Sequence, residues 1–220
     1  MGKVRFRISM SVDGYAAGPG QSLDEPLGKG GERLHDWAFR TRSMREQHGM
    51  EGGATGVDDD RARRWNENVG ATIMGRNMFG PVRGAWPNEE WRGWWGDDPP
   101  FHTPVFVLTH HEREPVEMQG GTTFHFVTDG IEAALARAVE AAGERDVMIG
   151  GGAATARQYL RAGLVDEMSL HVVPVFLGEG ERLLGDLDGG PTGLELVELV
   201  SSPVVAHFLY RRPSPSGEQR

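Results

Sequence analysis

The sequence predicts an α/β sandwich built on a mixed, mostly parallel sheet, and three observations predict it. A short apolar run, Asp146-Val147-Met148-Ile149, ends in Gly150-Gly151-Gly152 and passes directly into a helical pattern from Ala153 to Ala162, which is strand, glycine turn, helix. Short apolar runs alternate with helical stretches through the middle of the chain, as parallel crossovers require. The runs 194–201 and 204–211, joined around Ser202-Pro203, read as an antiparallel C-terminal hairpin.

Taken in order, Val4 to Val12 alternates as a first strand and runs into Asp13-Gly14. Glycine-rich polar sequence follows to Gly31. Leu34, Trp37, Ala38 and Met44 then predict one helix over 32–47, stopped before Gly49. Asp58 to Asn68 is charged and helix-compatible, anchored by Val57, Ala62 and Trp65. Ala71 to Met74 is a buried strand, and Arg76 to Phe79 a short helix ended by Gly80-Pro81. Four of the six tryptophans, Trp86, Trp91, Trp94 and Trp95, fall in an irregular stretch from 82 to 103, either packed over the core or lining a pocket. Strands follow at 104–109 and 123–128. The next helix has Asp129 as cap, Glu132 as its reciprocal partner and Gly143 as stop. After the glycine turn and its helix, ended by Gly163, a strand at 166–176 completes a right-handed β-α-β unit.

Composition narrows the classes. At 220 residues the chain suits one domain, expected over 1–212 with a polar tail from Pro213. It has no cysteine, which removes disulfides, cysteine-rich zinc sites and thiol nucleophiles. With 32 acids against 23 Lys and Arg the formal net charge is −9, so no nucleic-acid partner is expected, and any anionic ligand must meet a local basic cluster. The start, Lys3-Val4-Arg5-Phe6-Arg7-Ile8, sets charges between apolar residues and lacks the apolar core of a signal peptide. No stretch is long enough to span a bilayer, so a cytoplasmic protein without a membrane partner is expected. The eight histidines match no ligand spacing, and no metal is expected.

The glycine turn carries the chemistry. Without Cβ atoms the backbone can approach a ligand closely, and the unpaired N–H groups of the following helix carry partial positive charge, which suits a dinucleotide pyrophosphate. A tight strand-to-helix turn with no ligand explains the same letters. Gly150 to Thr155 misses the Rossmann pattern because Thr155 stands where its third glycine belongs; Gly28-Lys29-Gly30 is no P-loop, and His111-Glu112 has no second histidine.

Ser11-Val12-Asp13-Gly14, Met74-Gly75-Arg76-Asn77-Met78-Phe79 and Ile149 to Gly152, in that order and spacing, resemble the dihydrofolate reductase fold. Within it the chain is similar to the riboflavin-biosynthesis reductase family, the C-terminal domain of bifunctional riboflavin-synthesis enzymes in its stand-alone bacterial form. Trp94-Trp95-Gly96-Asp97-Asp98-Pro99-Pro100-Phe101-His102 and Val107-Leu108-Thr109-His110-His111 carry the likeness to that subgroup. The resemblance implies a dihydrofolate reductase-like three-layer sandwich, NADPH as cofactor and a small-molecule substrate, with relatives that are often homodimers. It implies that Gly75, Arg76, Asn77 and Met78 hold one side of the pyrophosphate, and Ile149, Gly150, Gly151, Gly152, Ala153, Ala154 and Thr155 the other. Thr109, His110, His111 and Arg113 would face the adenosine 2′-phosphate, and Ser9 and Ala16 the nicotinamide carboxamide. Adjacent histidines at a strand end are equally explained as exposed polar residues.

Reduction of a C=N or C=O bond needs a proton for the heteroatom. By resemblance the candidates are Asp36, flanked by apolar residues in Leu34-His35-Asp36-Trp37-Ala38-Phe39, and Asp13, at the end of the first strand. A helix-face acid and an Asp-Gly turn are the structural alternatives. The substrate is expected beside Trp37, Trp94 and Trp95. Substrates related to 5-amino-6-(5-phosphoribosylamino)uracil rank first and pterins second, and a nucleotide-binding protein without turnover is the rival. Tyr15 stands where riboflavin-type reductases carry a basic residue, so the nucleotide site carries over further than the substrate does.

Overall fold

The computed structural model describes residues 2–80, 84–88, 90–185 and 193–213. Strand β1 (Val4–Ser11) leads into β2 (Tyr15–Ala17), then a 3-10 turn at Gly31–Leu34 and three short helices, α1 (Asp36–Phe39), α2 (Arg42–Gln47) and α3 (Val57–Arg63). Next come β3 (Val69–Gly75), α4 (Arg76–Phe79), β4 (Pro104–Leu108), β5 (Val116–Glu117), β6 (Thr123–Val127) and α5 (Ile131–Ala142). The chain continues through β7 (Asp146–Gly151), α6 (Ala153–Arg161), β8 (Glu167–Val173), β9 (Glu181–Arg182), β10 (Glu195–Ser201) and β11 (Ala206–Arg211).

One nine-stranded sheet has the order β10-β11-β8-β1-β7-β3-β4-β6-β5, and β2 pairs β9 in a separate ribbon. From β8 to β6 the pairs are parallel, while β11 runs antiparallel to both β8 and β10, and β5 to β6. The expected mixed sheet and C-terminal hairpin are therefore present.

Strand alternation sorts the side chains onto two faces. Val4 and Phe6 of β1, Ile73 of β3, Phe106 of β4 and Ile149 of β7 pack with Ala134 and Ala138 of α5 and Tyr159 of α6. Tyr159 also donates its hydroxyl to Ile131 O at 2.8 Å, tying α6 to α5. The opposite face is covered in two patches. Leu34, Trp37, Ala38 and Met44 pack with Ala62 and Val173. At the other end Met74, Phe79, Val107 and Phe124 carry Trp86, Trp91 and Trp95.

Four local expectations change. The single helix over 32–47 is broken because Thr41 is extended (φ −75, ψ 154), bridges Ala54, and caps α2 by accepting from Met44 N. The helix expected over 58–68 ends at Arg63, and Asn68 turns at φ 58 into β3. Asp129 does not cap α5: Gly130, at φ 92, takes that position, and the Asp129 carboxylate accepts from Arg137 Nη2 at 2.8 Å instead. The strand expected to reach Phe176 stops at Val173, before Pro174. Residues 214–220 of the expected tail lie outside the described residues.

Candidate nucleotide cleft

The three glycines have three different jobs. Across β3 and β7 the register steps from Ile73↔Ile149 to Met74↔Gly151, so Gly150 is the extra residue of a bulge. Gly151 follows at φ 143, and Gly152 is the N-cap of α6, its carbonyl accepting from Ala156 N at 3.0 Å. The first N–H groups of α6 therefore emerge at the carboxyl end of β7, beside the end of β3 where α4 begins. Contact is close here: a Cβ on Gly75 would collide with Thr155 Oγ1, and one on Gly151 would sit 3.1 Å from Met78 Sδ. The two glycine-bearing strand ends are neighbours.

They open on a cavity of about 720 Å3 outside the carboxyl ends of β1, β3, β4 and β7, where open α/β sheets place ligands. One part is walled by Gly75 to Met78, Thr109 to His111, Gly150 to Thr155 and the start of α5. The remainder is walled by Ala16, Ala17, Leu27, His35, Phe39, Trp94, Trp95 and Glu181. The bare backbone, the helix start and the small residues Ala153 and Ala154 fit a pyrophosphate-bearing nucleotide. Arg76 lines the cavity with its guanidinium 3.0 Å from the centre of the Trp86 ring and donates to Gly84 O. Thr109 is buried and its Oγ1 accepts from His111 N at 3.2 Å, leaving His110 and His111 exposed at the rim.

Several expected residues do not reach the cavity. Arg113 is buried under the tryptophan segment, 4.7 Å from the Trp86 ring centre, and donates to Trp91 O at 2.6 Å. Its side chain follows that packing instead of the rim of β4. Trp37 is 2% exposed between Trp65, His171 and His207, and donates Nε1 to Ser9 Oγ at 3.1 Å. Both Trp37 and Ser9 are thereby used in the core. Ile149 is buried beneath the turn, whereas Ala16, Trp94 and Trp95 line the cavity. Trp95 also stacks on Phe124 at 5.9 Å, so it packs the core and walls the cleft together.

Neither aspartate lines the cavity. Asp36 is exposed in the first turn of α1, not enclosed in an apolar pocket, because Leu34, Trp37 and Ala38 take the buried face and leave Asp36 on the opposite one. Asp13 accepts from Gly178 N at 2.7 Å and Leu177 N at 3.2 Å. The Ser11 hydroxyl first, and then those N–H groups, hold its carboxyl below the usual range, which suits a fixed anion and not a proton donor. Two ionisable groups that the sequence did not single out line the cavity instead. His35 has its imidazole pushed down to about 4, by burial first and then by Arg7, and is neutral at pH 7. Glu181 is the one lining carboxylate among the described residues, brought to Ala17 by the β2–β9 pairing. No sequence signal joins residues so far apart. Among the described residues no group of three His, Asp or Glu is placed to hold a metal, and no helix is long and apolar enough to cross a membrane.

Sheet order, crossover connections and a cleft at two glycine-bearing strand ends define an α/β sandwich on a mixed, mostly parallel sheet with a ligand cleft at its carboxyl edge. The chain belongs to the RibD C-terminal domain family, whose profile matches residues 2–205. A comparison with curated proteins gives no match. Among solved structures, a protein assigned to riboflavin biosynthesis from Shewanella sp. PV-4 superposes with a TM-score of 0.56 at 22% identity, over 96% of this chain and 99% of that one. A pyrimidine reductase-like protein from Corynebacterium diphtheriae gives 0.54 at 15% identity, over 97% and 92%. The Thermotoga maritima diaminohydroxyphosphoribosylaminopyrimidine deaminase/5-amino-6-(5-phosphoribosylamino)uracil reductase gives 0.54 at 13% identity, and the match spans 57% of that longer chain. At these identities the likeness is one of fold.

Proposed function

We propose that this protein is an NADPH-dependent reductase acting on a heterocyclic or imine-like substrate of the ribosylaminouracil kind. The observation that carries the reading is the adjacency of the Gly75 and Gly151 strand ends, which gives one cleft two sets of bare backbone amides. Family membership and the reductase named in the Thermotoga protein support it. NADPH would supply the hydride. Gly75 to Met78 and Gly151 to Thr155 would hold its pyrophosphate, and His110 and His111, with the Thr109 hydroxyl, its 2′-phosphate. Trp94, Trp95, Ala16 and Phe39 would enclose the reacting rings and exclude water. Glu181 would orient the water that gives the substrate its proton, since Asp36 and Asp13 stand outside the cleft.

Purified protein is to be mixed with NADPH and a panel of pyrimidine, pterin and quinone acceptors, following loss of reduced nicotinamide. Turnover of a pyrimidine is the expected result. Binding without oxidation of any member would favour the rival, a nucleotide-binding protein without turnover. Given turnover, Glu181→Gln should lower kcat by about tenfold or more with KM little changed, while Asp36→Asn leaves kcat within about twofold. The reverse would return the acid role to Asp36. His110→Ala should weaken NADPH more than NADH, and equal losses would remove it from the 2′-phosphate.

The exposed edge strand β10, with Leu196, Val197 and Leu199 half-exposed, is in the same reading the surface of a homodimer.

A further inference from the structure

The alternating charges of the first strand do not line the cleft. Lys3, Arg5 and Arg7 point to the face of the sheet that carries α1 to α3, where they line a second cavity, of about 590 Å3, toward the amino ends of the parallel strands. Seven Lys and Arg side chains line it against three carboxylates, in a chain whose net charge is −9. Those near the rim are already paired. Arg211 Nε donates to Glu167 at 2.9 Å, Arg5 lies 3.4 Å from Asp146 and 3.5 Å from Glu167, and Arg61 is bound to Glu198.

Among the described residues no carboxylate pairs with Arg7. Its guanidinium lies 4.0 Å from the Trp65 ring centre, and Nη1 is buried without a hydrogen-bond partner. Burial lowers its pKa to about 9, so it remains charged at neutral pH. His171, 3% exposed on the neighbouring strand and face, also lines this cavity. Its tautomer follows from its partners. With both imidazoles neutral, His207 Nε2 donates to Asp58 Oδ1 at 2.9 Å, so His207 Nδ1 accepts, and His171 Nδ1 is the donor across their 2.8 Å contact. His171 Nε2 is then an unprotonated acceptor, and it is buried with no partner. Burial foremost, then the neighbouring His207 and Arg7, keep it neutral. Trp65 Nε1 is a further buried donor without a partner. An uncompensated cation, a spare N–H and a spare lone pair, all buried at one cavity, are costly unless something meets them.

We propose that this cavity binds a phosphoryl group that still carries a proton, its anionic oxygens on Arg7 and Trp65 and its P–OH donated to His171 Nε2. Sulfate has the same shape but no proton to donate, so the lone pair selects against it.

Calorimetric titration of the full chain with inorganic phosphate, ribose 5-phosphate and sulfate tests this. Inorganic phosphate should bind with a Kd of about 1 mM or tighter and sulfate at least about tenfold more weakly. Tighter binding of ribose 5-phosphate would identify a phosphomonoester as the source, and equal or weaker binding would identify the free ion. Arg7→Met should remove the affinity, and Arg64→Ala, an exposed lining residue, should weaken it severalfold if the first variant does not fold. Arg76→Ala in the nucleotide cleft should leave it unchanged, which separates this site from the cofactor reading. No heat at about 10 mM phosphate, sulfate binding as tightly as phosphate, or loss in Arg76→Ala with retention in Arg7→Met would each overturn the proposal.

Discussion

Asp13 shows how far a single residue could be read from sequence. An Asp-Gly at a strand end is an ordinary turn signal, and the structure gives the carboxylate partners 164 and 165 residues away, the N–H groups of Leu177 and Gly178. Because its folded pKa is depressed, the stability it contributes is present above the ordinary carboxylate value of about 4 and is lost as pH falls through the folded value. Asp13→Asn should therefore lower Tm at neutral pH, with the gap to wild type closing on acidification. Melting curves across that range check it, and a gap that widened toward acid would contradict the assignment. Asp36, Trp37 and Arg113 were legible as polar or aromatic residues of the right type, but not their orientation. Within α1 Asp36 faces solvent while Trp37, the next residue, is buried.

At the scale of elements, the glycine turn was the most legible feature, because Gly150, Gly151 and Gly152 answer three local backbone demands that no other residue type meets together. Strands β1, β3, β4, β6 and β7 were legible for the same local reason, whereas β2 and β9 pair only through long-range closure. A clean separation of fold from ligand follows at this turn. Gly152→Ala adds a Cβ with nothing within 4 Å, so its effect on stability should be small. Gly151→Ala forces an L-residue to φ 143 against Met78 and should cost about 1–2 kcal/mol. Both should weaken NADPH by about tenfold or more if backbone amides hold its pyrophosphate. Urea denaturation and nucleotide titration on the same samples decide it. Unchanged affinity in Gly152→Ala would move the nucleotide away from this helix start.

For the whole molecule, the sheet must end somewhere, and its two ends differ. The β5 end is two residues long and flanked by the tryptophan segment, whereas β10 is seven residues long with an open edge. Its Leu196, Val197 and Leu199 are 50%, 50% and 54% exposed along an unpaired edge, the place where a second chain can add a strand. The charges on β10 are Glu195 and Glu198, and Glu198 is already bound to Arg61, which leaves Glu195 as the unneutralised charge on this edge. A two-fold axis beside β10 would cover the same leucines and valine on both subunits. Val197→Lys with Leu199→Lys places like charges across that axis and should convert a dimer to a monomer in light scattering. Loss of cleft activity is not expected, since neither residue lines the cavity. If the wild-type chain is already monomeric at micromolar concentration, or the double variant stays dimeric, β10 is not the surface, and its exposed apolar residues must be covered in some other way.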